Sequence, residues 1–135
     1  MVRKRREGAR IDRKEGVMML LQVLILRQVE LVPELLSEFA REGVRGSTVI
    51  ECEGALQVLG QASVDAPPIF ASLRKFLNPD QEHNKLVLTV LSEDTYPRAR
   101  RAIHKVVGDL SVPGTGILFT VPITNVEGLA EGKNG

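Results

Sequence analysis

The sequence predicts an α+β domain whose elements run β-α-β-β-α-β. Three observations carry this. Four short apolar or alternating runs have strand character. Two intervening stretches repeat their apolar residues with helical spacing. Glycine or proline stands at most of the joints.

The first strand is read from "VMMLLQVLIL", Val17 to Leu26, a nearly unbroken apolar run that suits a strand covered on both faces. At ten residues it is too short to span a bilayer as a helix, which takes about 20 residues. It follows a basic leader, as a signal peptide would, but Arg27 and Gln28 follow it in place of a small-residue cleavage site.

The first helix is read from "ELVPELLSEFAREGV". Val32, Leu35, Leu36, Phe39 and Ala40 fall at i, i+3, i+4, i+7 and i+8, one face of an amphipathic helix. Pro33 suits the first turn and Gly43 the end. The second strand is "GSTVIECEG", in which Thr48, Ile50 and Cys52 alternate with Val49, Glu51 and Glu53. Residues 55–84 then lose periodicity. They contain "DAPP", "NPDQEHN" and the patch "IFASLRKFL", which reads as a turn or two of helix from Ile69 to Leu77 within a long loop. Loops of that length in small domains are commonly functional or disordered.

"KLVLTVLSE", Lys85 to Glu93, is the third strand. "DTYPRARRAIHKVVGD" is the second helix, with Ala99, Ala102, Ile103, Val106 and Val107 on its buried face, Asp94 or Thr95 as the cap, and Gly108 at the end. "GILFTVPI" is the fourth strand. With both helices on one face of a four-stranded antiparallel sheet, this order is the ferredoxin-like arrangement. The other sheet face then needs cover, and association through it is the simplest solution.

Composition bounds the rest. The 135 residues fit one domain, and 43% hydrophobic content with only 4% aromatics implies a core of aliphatic side chains. Residues 1–16 carry seven Lys/Arg against three Asp/Glu, while the remainder is mildly acidic. Three parts follow: a basic, disordered arm at 1–16, a domain at 17–127 with the long loop 55–84, and a flexible tail at 128–135. Arg3, Lys4, Arg5 and Arg6 are the residues through which the arm would meet nucleic acid or a membrane surface, but the net charge of +1 does not favour either. A single cysteine, Cys52, excludes an intrachain disulfide and fits a cytoplasmic protein.

No catalytic signature stands out. His83 and His104 have no cysteine or histidine neighbour at ligand spacing, so no metal site is expected. His104 sits among Arg98, Arg100, Arg101 and Lys105, read as a solvated face with an anion patch as the sharper alternative. Glu51 and Glu53 share a face, as an acid–base pair would, but read more simply as hydrophilic strand positions. No nucleophile elbow or P-loop occurs. The expectation is a protein that is not an enzyme.

The feature with binding character is "PGTGILFTVPI", where Gly114 and Gly116 flank Thr115 just before a strand. Glycines there let backbone N–H groups face an anion without an intervening Cβ. This stretch, together with "LVPELLSEFAREGVRGSTVIECEG", resembles the nitrogen-regulatory PII signal-transduction family, as a divergent member. Residues 20–127 match by topology, and these two motifs match by sequence.

The resemblance implies a homotrimer of ferredoxin-like domains that binds an adenine nucleotide or other small anion in clefts between subunits and acts on a partner through loop 55–84. It places Thr48, Gly54, Gly114, Thr115 and Gly116 at the ligand. It makes Ile69, Phe70, Leu73, Arg74 and Phe76 contacts to a partner, such as a membrane transporter or regulatory enzyme. The chain departs from the family at charged positions. Ile117 replaces a lysine, Gln57 falls where an arginine is expected, Gly128 and Ala130 fall where two more are expected, and Val87 or Leu88 replaces an adenine-reading glutamate. Loop 55–84 has no tyrosine to modify. Each lost cation removes a charge-assisted phosphate contact worth about 1.5–3 kcal/mol. The alternatives are another ferredoxin-like regulatory domain of the amino-acid-binding type, which would pair as a dimer, a small metal-tolerance protein or enzyme on the same fold, and a nucleic-acid binder acting through the arm.

Overall fold

A computed structural model of the chain describes residues 16–61 and 83–129. Strand β1 is Met19–Leu26, and a 3-10 turn at Val29–Leu31 leads into helix α1, Val32–Arg41. Strand β2, Ser47–Cys52, is followed by a short helix α2, Ala55–Gln61. Strand β3 is Asn84–Ser92, helix α3 is Tyr96–Val106, and strand β4 is Gly116–Ile123.

The four strands form one antiparallel sheet in the order β2-β3-β1-β4. Both crossovers, β1-α1-β2 and β3-α3-β4, therefore skip over one strand, which is the ferredoxin-like topology that the sequence predicts. β1 lies in the interior, pairing Leu24 with Val87 on one side and Leu118 on the other. Its apolar residues divide between the two faces, Leu24 and Leu26 toward the helices and Val23 and Ile25 toward the opposite face.

The register sorts every strand residue to a face. Leu24, Leu26, Val87 and Leu91 point to the helices and form one buried cluster with Val32, Leu35 and Phe39 of α1 and Ala99, Ala102 and Ile103 of α3. Pro33 lies in the first turn of α1, and Gly43 and Gly108 follow the two main helices, as expected. Thr95 is the cap residue of α3, but its hydroxyl faces that of Ser92 at 3.0 Å and does not bond the helix.

Three details differ from the expected elements. Ala40 is exposed, and Glu38 is buried in its place. The Glu38 carboxylate lies between the main helices, 3.1 Å from Lys105 Nζ and 2.6 Å from an Arg41 nitrogen, so ion pairing lets a charged residue occupy an inward position. Leu36 and Val106 are half-buried where full burial is expected. The excursion after β2 opens with the helix Ala55–Gln61, whose Leu, Val and Gln alternate without a clean stripe. The turn expected at Ile69 to Leu77 lies outside the described residues.

Among the described residues, no helix covers the opposite sheet face. Its residues from β2, β3, β1 and β4 are in turn Ile50, Leu88, Val23 and Phe119 with their neighbours two positions away. Ile50, Phe119 and Val121 are between 42% and 44% exposed and Ile117 is 59% exposed.

Candidate functional site

The end of the sheet where β1 and β2 finish and β3 and β4 begin holds a cavity of about 580 Å³. Its volume lies within the range of small-molecule pockets. Three groups of residues line it. Ile25, Leu86 and Ile117 make an apolar floor that belongs to the open sheet face. Gly114 and Gly116 come from the turn before β4, and Cys52 to Gly54 come from the end of β2. Arg27, Gln57 and Asn84 add one guanidinium and two carboxamides.

The glycine turn is built before any ligand arrives. Asp109 accepts from the Ser111 amide and hydroxyl at 2.9 and 2.8 Å, which hold its carboxyl below its ordinary pKa. The Thr115 hydroxyl donates to the Val112 carbonyl at 2.7 Å, and the Thr115 amide reaches the same oxygen at 3.3 Å. The Thr115 carbonyl accepts from the Arg27 amide at 3.1 Å, which ties the turn to the end of β1. Gly116 sits so close to β1 that a Cβ there would collide with the Ile25 carbonyl oxygen. That approach is what brings the turn against the cavity floor.

On the other wall, the Gln57 Oε1 accepts from the Gly54 amide at 3.0 Å, and the Gly54 carbonyl accepts from the Val58 amide at 3.1 Å. Gly54 is thereby fixed at the start of α2. Burial pushes the Cys52 thiol above its ordinary pKa, so it stays protonated at neutral pH. Glu53 lies beyond the end of β2, its carboxylate 3.7 Å from His83 Nδ1. Glu51 faces the helix side and pairs with Lys85 at 3.2 Å, so the two glutamates do not form one acid–base pair.

Of the residues expected at a ligand, Gly54, Gly114 and Gly116 meet in this cavity. Thr115 is buried, and its hydroxyl is spent inside the turn. Thr48 lies on the open sheet face opposite Leu88, outside the cavity lining. Ile69, Phe70, Leu73, Arg74 and Phe76 lie outside the described residues. Ile117 and Gln57, two of the four positions where the resembling family carries cations, line the cavity.

Sequence reasoning missed Arg27. The signal was a cation directly after a doubly paired strand, at the end where the glycine turn must also lie.

A second depression of about 590 Å³ lies over the two main helices, lined by Glu38, Glu42, Arg100, Arg101, His104 and Lys105 among others. Its charges largely satisfy one another, through Lys105 with Glu38 and Arg101 with Glu42 at 3.7 Å. Among the described residues no cluster of three or more His, Cys, Asp or Glu could hold a metal ion, and no helix is long and apolar enough to cross a membrane.

No family profile matches the sequence, and no curated protein matches it. Solved structures do resemble it. A protein of unknown function from Pediococcus pentosaceus superposes with a TM-score of 0.54 at 14% identity, covering 84% of this chain and 100% of that one. A protein from Thermus thermophilus described as a PII-like signalling protein gives a TM-score of 0.45 at 16% identity, covering 79% of this chain and 87% of that one. At such identities the first likeness speaks to the fold alone, and the second superposition is too loose to support an argument. The chain is a ferredoxin-like α+β domain with a preformed, glycine-walled cavity at one end of its sheet.

Proposed function

We propose that the chain is a non-catalytic, PII-like regulatory protein. It senses a small ligand in the cavity at the sheet end and reports it to a partner through segment 55–84. The observation that carries this reading is the convergence of Gly54, Gly114 and Gly116 on one cavity, at the base of that long segment. Both ends of the segment contribute to the wall, through Ala55 and Gln57 on one side and Asn84 on the other. A ligand seated there would touch the segment's anchors directly, which is what a reporting loop needs.

The second support is the open sheet face. Monomeric proteins seldom leave a wide contiguous apolar face in water, and a homotrimer built on that face would cover it. The cavity floor is part of the same face, so the ligand would sit beside a subunit boundary. The partner, a membrane transporter or a regulatory enzyme, would be contacted by Ile69, Phe70, Leu73, Arg74 and Phe76.

Molar mass in solution and a thermal-shift panel of ATP, ADP, AMP, cyclic nucleotides, bicarbonate and 2-oxoglutarate test the reading together. A ligand selective for the folded form raises apparent stability by mass action. The expected result is a three-chain particle and a clear shift with at least one compound. A monomer at micromolar concentration that responds to none of them would sink the proposal, and a two-chain particle would favour the amino-acid-binding type of domain.

A further inference from the structure

Independently of the ligand reading, we infer that the outer edge of β4 docks on the same edge of a second copy of this chain, antiparallel, about a two-fold axis at Leu118. The backbone ladder shows which groups are free to do so. The Glu93 amide donates to the Met18 carbonyl at 2.9 Å, and the Arg27 amide donates to the Thr115 carbonyl at 3.1 Å. Each pair continues the register of its two strands by one residue. Opposed residues of an antiparallel ladder alternate between bonded and non-bonded pairs. Even-numbered residues of β1 therefore bond β3, and odd-numbered ones bond β4. On β4 this engages the backbone of Ile117, Phe119 and Val121 with β1. The backbone groups of Gly116, Leu118, Thr120 and Pro122 turn outward, where the sheet ends and no described residue bonds them. Proline has no N–H, and an outward edge position is where a strand tolerates it.

The two sheet edges are not equally guarded. Short length and charge are the usual protection of an edge. β2 has six residues and carries Glu51, paired with Lys85. β4 has eight residues and no charge. An occupant of that edge must be extended, uncharged and apolar at alternate positions. Among the described residues, β4 is the sheet edge with that character, so its own copy is its match. Pro122 then selects the register. With the axis at Leu118, Leu118 meets its counterpart and Gly116 meets Thr120 of the other copy. Every outward donor finds an acceptor, and Pro122 lies beyond the paired stretch. Moving the axis to Phe119 would set the Pro122 ring against the Gly116 carbonyl. The Leu118 register also brings the exposed Ile117 of one copy opposite the exposed Phe119 of the other. Pairs of a β-branched and an aromatic side chain stabilise antiparallel strands.

The homotrimer of the preceding reading is built on the sheet face, so either one chain or three can be the unit that pairs through the edge. One strand's length of contact is small against a standard interface of about 1,600 Å², which makes this a weak association.

The test uses full-length protein from about 5 µM to about 1 mM, a range that brackets weak self-association. Sedimentation gives the mass, and NMR-detected hydrogen exchange gives the protection of single amides. The mass is expected to double as concentration rises. Exchange should slow in step at Gly116, Leu118 and Thr120, while Ile117, Phe119 and Val121, bonded to β1, stay unchanged. Thr120→Pro removes an outward donor and no bond to β1, and should weaken the doubling on the order of tenfold or more. The exchange pattern of the unaltered chain decides the question even if Thr120→Pro folds poorly. A constant mass, or doubling without slowed exchange at those three amides, overturns the inference, as does doubling that a folded Thr120→Pro leaves intact. Protection of the three amides at every concentration also overturns it, because the edge is then held by another segment or neighbour within the smaller particle. The number of chains in that smaller particle tests the sensor reading and not this one.

Discussion

The close approach of β4 to β1 makes a sharp prediction about two neighbouring glycines. In Gly116→Ala the new Cβ would collide with the Ile25 carbonyl oxygen, and Leu26 Cα would stand 3.5 Å away. These are backbone atoms of an interior strand, so they cannot swing aside as a side-chain tip could. The φ of Gly116 is +159°, which a residue with a Cβ rarely adopts, so torsional strain adds to the collision. Relief requires β4 to lift from β1 where Gly116 pairs with Leu26. That costs about 1–3 kcal/mol in overpacking strain and about 1 kcal/mol for a weakened ladder hydrogen bond.

Gly114→Ala is the control. Its φ is +87°, which costs alanine about 1–2 kcal/mol, but nothing lies within 4 Å of the new Cβ. Both substitutions restrict the unfolded chain equally, so that contribution cancels in the comparison. With roughly 4 °C per kcal/mol for a domain of this size, Gly116→Ala should lose about 10 °C in Tm and Gly114→Ala about 5 °C. Chemical denaturation monitored by far-UV circular dichroism at fixed protein concentration checks the same difference isothermally. Equal losses in the two variants would refute the claim that β4 begins with glycine because β1 leaves no room for a side chain.

Three further outcomes follow from buried or uncovered groups. Gln22 is fully buried on the helix side between Thr89 and Thr120, and neither its Oε1 nor its Nε2 has a hydrogen-bond partner among the described residues. Gln22→Met should therefore raise stability by about 1–2 kcal/mol in urea unfolding, and a loss of that size would mean the carboxamide is satisfied in solution. The Lys105 ammonium holds the Glu38 carboxyl below its ordinary 4.5, against the push of burial and with help from Arg41. A depressed carboxylate contributes stability that is fully present above the unfolded value and is lost as pH falls through the folded one. The urea midpoint gap between wild type and Glu38→Gln should thus be widest near neutrality and close below pH 4.5, and a pH-independent gap would contradict the pairing. Phe119→Asp places a charge on the open sheet face. It should reduce the molar mass in solution to that of one chain while circular dichroism stays native, whereas an unchanged particle would show that this face is not the contact.

The strands and the two main helices were legible because each shows either an unbroken apolar run or a simple period. β4 runs from Gly116 to Ile123, as its apolar run predicts. Two of the failures depend on neighbours distant in sequence, and the third is a helix too short to show a period. Period alone puts Ala40 inward and Glu38 outward, but Lys105, 67 positions away, makes the inward carboxylate tolerable. α2 has seven residues and no apolar stripe, so its helical character is set by context such as the Gly54–Gln57 contact at its start. In the cavity, Gly114 and Gly116 could be nominated from sequence because glycine beside a strand is a local signal, and Gly54 through the family resemblance alone. Arg27 could not, since its place in the cavity wall depends on β1 pairing with β4 and thereby bringing Thr115 against it.

The cavity and the open face are not independent, because Ile25, Leu86 and Ile117 belong to both. A second copy docked on that face would bury part of the cavity floor, and a ligand on the floor would alter the surface offered to that copy. Linkage then requires the two equilibria to be coupled, whatever the sign. A ligand that completes the apolar surface tightens self-association, and one that wedges the copies apart loosens it. The coupling needs no conformational pathway, since the shared atoms supply it directly. The same holds for the segment between β2 and β3, whose two ends, Gln57 and Asn84, also line the cavity. On the proposed reading, a cavity with few polar groups would still transmit a signal, because ligand, neighbouring copy and segment ends would all contact one small set of side chains.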